Sequence, residues 1–186
     1  MAQPVSSRPW LQSSQNPKIT VRQLTVKEIK APVFEREQPA IEHRFRQGAI
    51  CLGAFRGDTL VGFLWLTLGP YEEDEVRAQF IPQPAGEAAW DFDVYIHPDY
   101  RLGRTFLHLW DAANAYLSER GFEWTMSRVS AFNPTSLRSH MKLGGRIKGR
   151  TIFIKMGRLE WGICFPGLQS QISLTPGKKL AIQVSP

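Results

Sequence analysis

Between Trp90 and Arg120 the apolar residues change their period, and this change constrains the fold more than any other feature of the chain. From Trp90 to His97 apolar and polar residues alternate. Phe92, Val94 and Ile96 fall on one face and Asp91, Asp93, Tyr95 and His97 on the other, the two-residue period of a strand. From Arg104 onward Phe106, Leu109, Trp110, Ala113 and Leu117 recur at the spacing of an amphipathic helix. Between them lie Pro98, Asp99, Tyr100, Arg101, Leu102 and Gly103. The proline ends the strand, and the glycine permits a tight turn before the helix opens. A strand that turns directly into a helix aims free backbone N–H groups and the positive end of the helix dipole at one spot, where phosphates bind.

The rest of the chain supplies a sheet around this segment. Met1 to Lys18 is rich in Ser, Gln and Pro and reads as a flexible segment. Ile19 to Val26 reads as a strand, Lys27 to Ala31 as the start of a short helix interrupted by Pro32, and Glu35 to Gln47 as a helix stopped by Gly48. Ala49 to Arg56 and Thr59 to Leu68 form a hairpin across Gly57 and Asp58. Tyr71 to Ala89 reads as an exposed charged loop or as a β-hairpin extension around Val76 to Ile81. Glu123 to Ala131 reads as a strand, and Asn133 caps a helix that begins at Pro134 and ends at Gly144 and Gly145. Two further strands, Arg146 to Met156 and Leu159 to Phe165, meet at Gly157, and Leu180 to Val184 is a candidate last strand. This order predicts an α/β fold with a mixed, mostly antiparallel central sheet flanked by helices. It spans residues 19–165, between an N-terminal segment 1–18 and a C-terminal extension 166–186.

The run from Val94 to Leu109, VYIHPDYRLGRTFLHL, resembles the acyl-CoA signature of the GNAT superfamily of N-acetyltransferases. A second block, Asn133 to Gly144, is similar to the family's N-x-x-S/A-x-x-x-Y-x-K-x-G pattern, with His140 where tyrosine is usual. The resemblance covers roughly Ile19 to Gly157. It implies an acyl-CoA-dependent N-acyltransferase that moves an acetyl group from acetyl-CoA, or another acyl group from its CoA thioester, to a primary amine by direct attack in a ternary complex. It also implies a V-shaped splay between the strand of Asp91 to Ile96 and that of Thr125 to Val129. The pantetheine arm would enter this gap and bond to the backbone of Val94, Tyr95 and Ile96. The turn Arg101, Leu102, Gly103, Arg104, Thr105 and Phe106 would hold the pyrophosphate, and Asn133 and Ser136 would face the CoA channel.

Two registers of that turn are open. With Arg101 as the leading arginine, Arg104 and Phe106 take the places of the family's two small residues; in a turn shorter by one residue, Gly103 and Thr105 do. The shorter register is preferred because it supplies a glycine before the helix and a hydroxyl in its first turn. Gly103 is then expected to need positive φ.

Acetyl transfer to an amine needs a neutral nucleophile, a polarised thioester carbonyl and a proton for the leaving thiolate. Asp91 and Asp93, on one face of their strand, are candidate bases; alternatively they form salt bridges to arginines of neighbouring strands. A backbone N–H near Tyr95 would polarise the carbonyl. His140 is a candidate proton donor to the thiolate, in the place of the family's tyrosine, or else a partly buried helix residue without a catalytic task. The acidic run Glu72 to Glu75 is either a solvated loop or an attractor for a cationic acceptor. A non-catalytic module of the same fold that binds acyl-CoA or an acyl carrier is the second functional reading.

The net charge of +6 does not amount to a nucleic-acid signature, because the basic residues are scattered. Where they gather, at Arg138, Lys142, Arg146, Lys148 and Arg150, they suit a polyanionic donor. No apolar run approaches the ~20 residues of a membrane span, and the expected location is the cytoplasm. Cys51 and Cys164 read as packing residues, as do Trp65, Trp90, Trp110, Trp124 and Trp161. His97 and His108 lack partners at metal-ligand spacing, so no metal is expected. A homodimer stands open.

Overall fold

The computed structural model describes residues 1–11, 18–29, 37–166, 169–175 and 178–186. The first half runs β1 Ala2–Pro4, β2 Thr20–Leu24, α1 Gln38–Arg46, β3 Ile50–Arg56, β4 Thr59–Thr67, β5 Tyr71–Glu72, β6 Ala78–Pro82 and β7 Ala88–Ile96. The second half runs through a 3₁₀ turn Pro98–Tyr100, α2 Thr105–Ser118, β8 Trp124–Met126, α3 Pro134–Lys142, β9 Arg150–Met156, β10 Leu159–Phe165, β11 Gln169–Ser173 and β12 Leu180–Val184. The chain divides into two compact units, and β7 runs through both.

One unit, Val5–Leu68 with Asp91–Glu123, carries the turn singled out above. Here β2 pairs antiparallel with β3, and β3 with β4. The β3–β4 hairpin closes across Gly57 and Asp58, with Gly57 at φ 58, a conformation that glycine adopts without steric cost. α2 packs on β2, β3 and β4. Its periodic residues Leu109, Trp110, Ala113 and Leu117 are all buried, and each large side chain among them contributes about 1.5–3 kcal/mol by leaving water. α1 ends at Gly48, φ 78, as its sequence predicts.

The other unit, Met1–Pro4, Gly69–Trp90 and Trp124–Pro186, holds the remaining strands and α3. β8 lies between β1, antiparallel, and the first residues of β7, parallel. β6 pairs with β5 antiparallel and with β12 parallel, and β10 is flanked by β9 and β11, both antiparallel. Phe80 stacks on Trp90 with ring centroids 4.4 Å apart.

Several elements differ from their sequence reading. Met1–Pro4 is not a loose tail: β1 pairs with β8, the Met1 ammonium donates to Ser127 O at 2.7 Å, and Ala2 exchanges hydrogen bonds with Arg146. Further on, the N–H groups of Trp10 and Leu11 donate to the Asp111 carboxylate. Local composition does not reveal a strand whose pairing partner lies over a hundred residues away. The strand expected over Glu123 to Ala131 is only Trp124–Met126. Of the two readings of Tyr71 to Ala89 the hairpin holds and the exposed loop does not: β5 pairs antiparallel with β6, and Tyr71, Ala78 and Phe80 are buried on them. Residues 26–28 form a turn, and the rest of the short helix expected to Pro32 lies outside the described residues. The C-terminal extension adds β11 and β12 to the sheets. Among the described residues no helix is long and apolar enough to cross a membrane.

Candidate active site

The pairing of β7 with β8 consists of Ala88↔Trp124, Ala89↔Thr125 and Trp90↔Met126, and then stops. β8 ends there while β7 continues to Ile96. In the continuation Asp93 sits at φ 49, a left-handed conformation that aspartate tolerates better than most residues. It interrupts the alternation read from sequence: residues 88–92 are all buried and 93–96 are all half-buried. Beyond it the His97 N–H donates to Val61 O of β4 at 2.9 Å. Because backbone groups alternate sides along a strand, those of Tyr95 also turn to β4 and those of Val94 and Ile96 turn away. Two contacts agree. The Tyr95 carbonyl lies 2.8 Å from the point where a Cβ on Gly62 would stand, and the Ile96 carbonyl accepts from Arg101 Nε at 2.9 Å. Next to Tyr95 it is thus the N–H groups of Val94 and Ile96 that turn away from β4, while the Tyr95 ring stacks on Phe63.

After Ile96 the chain makes the 3₁₀ turn, in which Tyr100 N–H bonds to His97 O and Arg101 N–H to Pro98 O. Gly103 N–H bonds to Tyr100 O at 3.2 Å, Leu102 is fully exposed, and α2 opens at Thr105. The N-cap residue Arg104 gives α2 no side-chain cap and the first turn holds no acid, and the positive end of a 14-residue helix suits an anion. Gly103 is not among the glycines with positive φ, contrary to expectation, and a Cβ there would meet only Tyr100 O at 3.4 Å. The Thr105 side chain is buried, with its methyl 3.4 Å from the Cβ position of Gly62. Thr105 stands in the first turn of α2, as the shorter register expects, but its side chain is buried there. Arg101, Leu102 and Arg104 are exposed and Phe106 is half-buried. Arg56, at the end of β3, stands 5.8 Å from the centroid of the Tyr100 ring and brings another cation to the turn. Its 44-residue distance from Tyr100 in sequence hid it.

The carboxylates do not occupy the places expected of bases. Asp91 is buried. Asp93 Oδ2 lies 2.5 Å from an Arg44 guanidinium nitrogen, and that guanidinium is almost wholly buried between the rings of Trp65 and Phe92, 5.2 Å from each. Removing one partner of a comparable buried pair costs about 3–5 kcal/mol. Asp93 thus makes a salt bridge, but with an arginine of helix α1 instead of one on a neighbouring strand.

In the other unit Asn133 Oδ1 accepts from Ser136 N–H at 3.0 Å and caps α3, with Pro134 in the first helical position. Asn133 is exposed and Ser136 half-buried. His140, one turn further on, is buried; its Nδ1 lies 3.2 Å from Gln3 Oε1 of β1. Burial, and secondarily the N-terminal ammonium, lower its pKa to about 4. Uncharged at pH 7 and buried, it accords with the second sequence alternative, a covered helix residue, more than with a proton donor to the thiolate. The acidic run is also committed internally: Glu73 and Glu75 share Arg128 at 2.8 and 2.6 Å, and Glu72 pairs with Lys179. Burial raises the Glu73 pKa, against the opposing pull of Arg128.

β7 thus turns, with basic residues exposed, into the N-terminus of α2. No protein-family model and no curated protein matches the chain. Solved structures do match. The chain is similar to a ribosomal-protein-alanine N-acetyltransferase from Brucella melitensis biovar Abortus 2308, with a TM-score of 0.59, 17% identity and coverage of 74% of this chain and 99% of that one. It is similar to the aminoglycoside N-acetyltransferase AAC(6')-Iy in complex with CoA, with a TM-score of 0.58, 15% identity and coverage of 74% and 98%. It is also similar to the aminoglycoside 6'-N-acetyltransferase AAC(6')-Ih from Acinetobacter baumannii, with a TM-score of 0.55, 13% identity and coverage of 75% and 98%. At these identities the likeness establishes the fold.

Proposed function

We propose that this chain is an acyl-CoA-dependent N-acyltransferase that moves an acetyl group from acetyl-CoA to a primary amine in the cytoplasm. The observation that carries the reading is the N-terminus of α2, delivered by β7 through a turn where Arg101 and Arg104 are exposed. Helix-end N–H groups and basic side chains suit a pyrophosphate, and the solved structures of this fold include one in complex with CoA. The residues assigned to the donor are Arg101, Leu102, Gly103, Arg104, Thr105 and Phe106 at the turn, and Val94 and Ile96 through their backbone. Asn133 and Ser136 retain the CoA-facing role implied by the family pattern. Thr105 contributes through its place in the first helical turn.

The neutral amine attacks the thioester carbonyl, and negative charge develops on the carbonyl oxygen. A backbone N–H of Val94 or Ile96 stabilises that charge. The C–S bond then breaks, the nitrogen sheds a proton, and the departing thiolate gains one, leaving amide and free CoA. With Asp93 engaged by Arg44 and His140 buried, water carries these protons. A cationic acceptor draws less from Glu72 to Glu75 than their four charges suggest, since Arg128 and Lys179 offset part of the run.

The test is calorimetric titration with CoA beside a thiol-release assay with acetyl-CoA and a panel of amines. Micromolar CoA binding with turnover on at least one amine is expected. Binding without turnover on any amine would favour the acyl-CoA-binding module, and no CoA binding at millimolar concentration would sink both.

A further inference from the structure

The three-stranded sheet β11-β10-β9 has two unlike faces. Its pairs Glu160↔Lys155, Glu160↔Ser173 and Gly162↔Phe153 lie on one side. There Glu160 meets Arg77 at 3.1 Å, Gly162 leaves room for Leu180, and Glu160 and Ser173 are buried. The opposite side carries the pairs Ile163↔Ile152, Trp161↔Ile154, Trp161↔Ile172, Leu159↔Met156 and Phe165↔Arg150. Opposed residues share a face, so this side is a nearly continuous apolar surface, extended by Leu174 two residues beyond Ile172. It is open: Ile152 is 52% exposed, Met156 61%, Phe165 40%, Ile172 50% and Leu174 64%.

We propose that this face is the contact surface of a homodimer, covered by the same face of a second copy. Side chains of this size present on the order of 200 Å² each when fully exposed, so these five together present roughly 500 Å² of apolar surface. A stable interface hides about 800 Å² per partner, and homodimer interfaces are about 65% apolar, which again requires roughly 500 Å². The face thus holds the apolar area that a dimer needs, without borrowing from elsewhere.

Its chemistry favours a copy of itself over a foreign partner. Arg150 is the one charged residue in the paired rows of this side, so the face has no charge pattern by which to select an unlike surface. A two-fold axis lying in the interface across the strands stacks the sheets face to face and sends the two Arg150 side chains to opposite ends of β9, ~20 Å apart by strand rise. Trp161 lies in the middle row between Ile154 and Ile172, and its indole N–H is already satisfied by Ser170 Oγ at 3.2 Å. It can therefore act as a central anchor without leaving a polar group unpaired.

Sedimentation velocity of the full chain between about 0.1 and 100 μM tests this. The wild type should sediment as a dimer of the 21.2 kDa chain. The variants Ile152→Glu/Ile172→Glu and, separately, Met156→Lys should raise the dimer dissociation constant 100-fold or more, with circular dichroism unchanged. Met156 is the most exposed strand residue of the patch, so its variant keeps the test alive should the double variant fold poorly. A wild type that stays monomeric at 100 μM would overturn the proposal, as would a dimer unaffected by Met156→Lys. A monomer that instead co-sediments with phosphatidylcholine vesicles would assign the face to a lipid surface and overturn it too.

Discussion

The burial of His140 makes the stability of this protein depend on pH. The unfolded chain titrates this histidine near 6.5, and the folded chain near 4, because burial and the Met1 ammonium oppose its charge. Below pH 6.5 the unfolded state binds a proton that the folded state refuses, so stability is fully present above that value and is lost as the pH falls toward 4. From these two values the loss is about 2 kcal/mol at pH 5 and about 3 kcal/mol at pH 4, relative to pH 7.5. The perturbation is His140→Leu, which removes the titrating group. The assay is urea unfolding followed by tryptophan fluorescence, for wild type and variant, at pH 7.5 and pH 5. The wild type should lose about 2 kcal/mol more than the variant between the two pH values. The variant starts from a lower stability at pH 7.5, because Gln3 loses its 3.2 Å partner, but the difference between the two slopes isolates the histidine. If both proteins weaken equally on acidification, His140 is not held neutral by burial, and the reasoning that removed it from catalysis fails with it. The same variant should keep the wild-type shape of the pH–rate profile.

Three further outcomes follow from named contacts. Gly103→Val should change unfolding stability by less than about 1 kcal/mol, because its Cβ meets only Tyr100 O at 3.4 Å, yet weaken CoA binding tenfold or more in calorimetry by blocking the approach of a phosphate to the turn. Gly62→Ala should destabilise the fold by about 1–3 kcal/mol in thermal unfolding, since the added carbon would stand 2.8 Å from the Tyr95 carbonyl and 3.1 Å from Ile96 Cδ1. Wild-type stability of that variant would show that β4 and β7 are not so close. Arg44→Met should cost about 3–5 kcal/mol in urea unfolding through the loss of Asp93's buried partner, and Asp93→Asn should restore part of that loss in the double variant; strict additivity of the two changes would refute the pairing.

The residues that a local rule governs were legible from the sequence. Leu109, Trp110, Ala113 and Leu117 face the core of α2 because a helical period places them on one side, and Asn133 caps α3 because its carboxamide reaches an N–H three residues on. The β3–β4 hairpin follows from Gly57, whose positive φ needs no partner elsewhere in the chain. The turn from Ile96 to Thr105 is local as well, although Gly103 does not take the positive φ expected of it. Several misreadings, in contrast, involve a contact far away in sequence. Met1–Pro4 looks like a polar tail until β8, more than a hundred residues later, offers it an edge. His140 has the spacing of a site residue, and only the arrival of Gln3 shows that it is covered. Asp91 and Asp93 alternate as a strand pair should, but the left-handed residue at 93 breaks the phase, and Arg44, 49 residues earlier, claims the carboxylate. The acidic run reads as solvated until Arg128 and Lys179 reach it from the second half of the chain. Backbone period, caps and turns depend on a few neighbouring residues and are written locally. Burial, counter-ions and the charge state of a side chain depend on what the folded chain brings within a few ångströms, and the sequence around a residue does not contain that information.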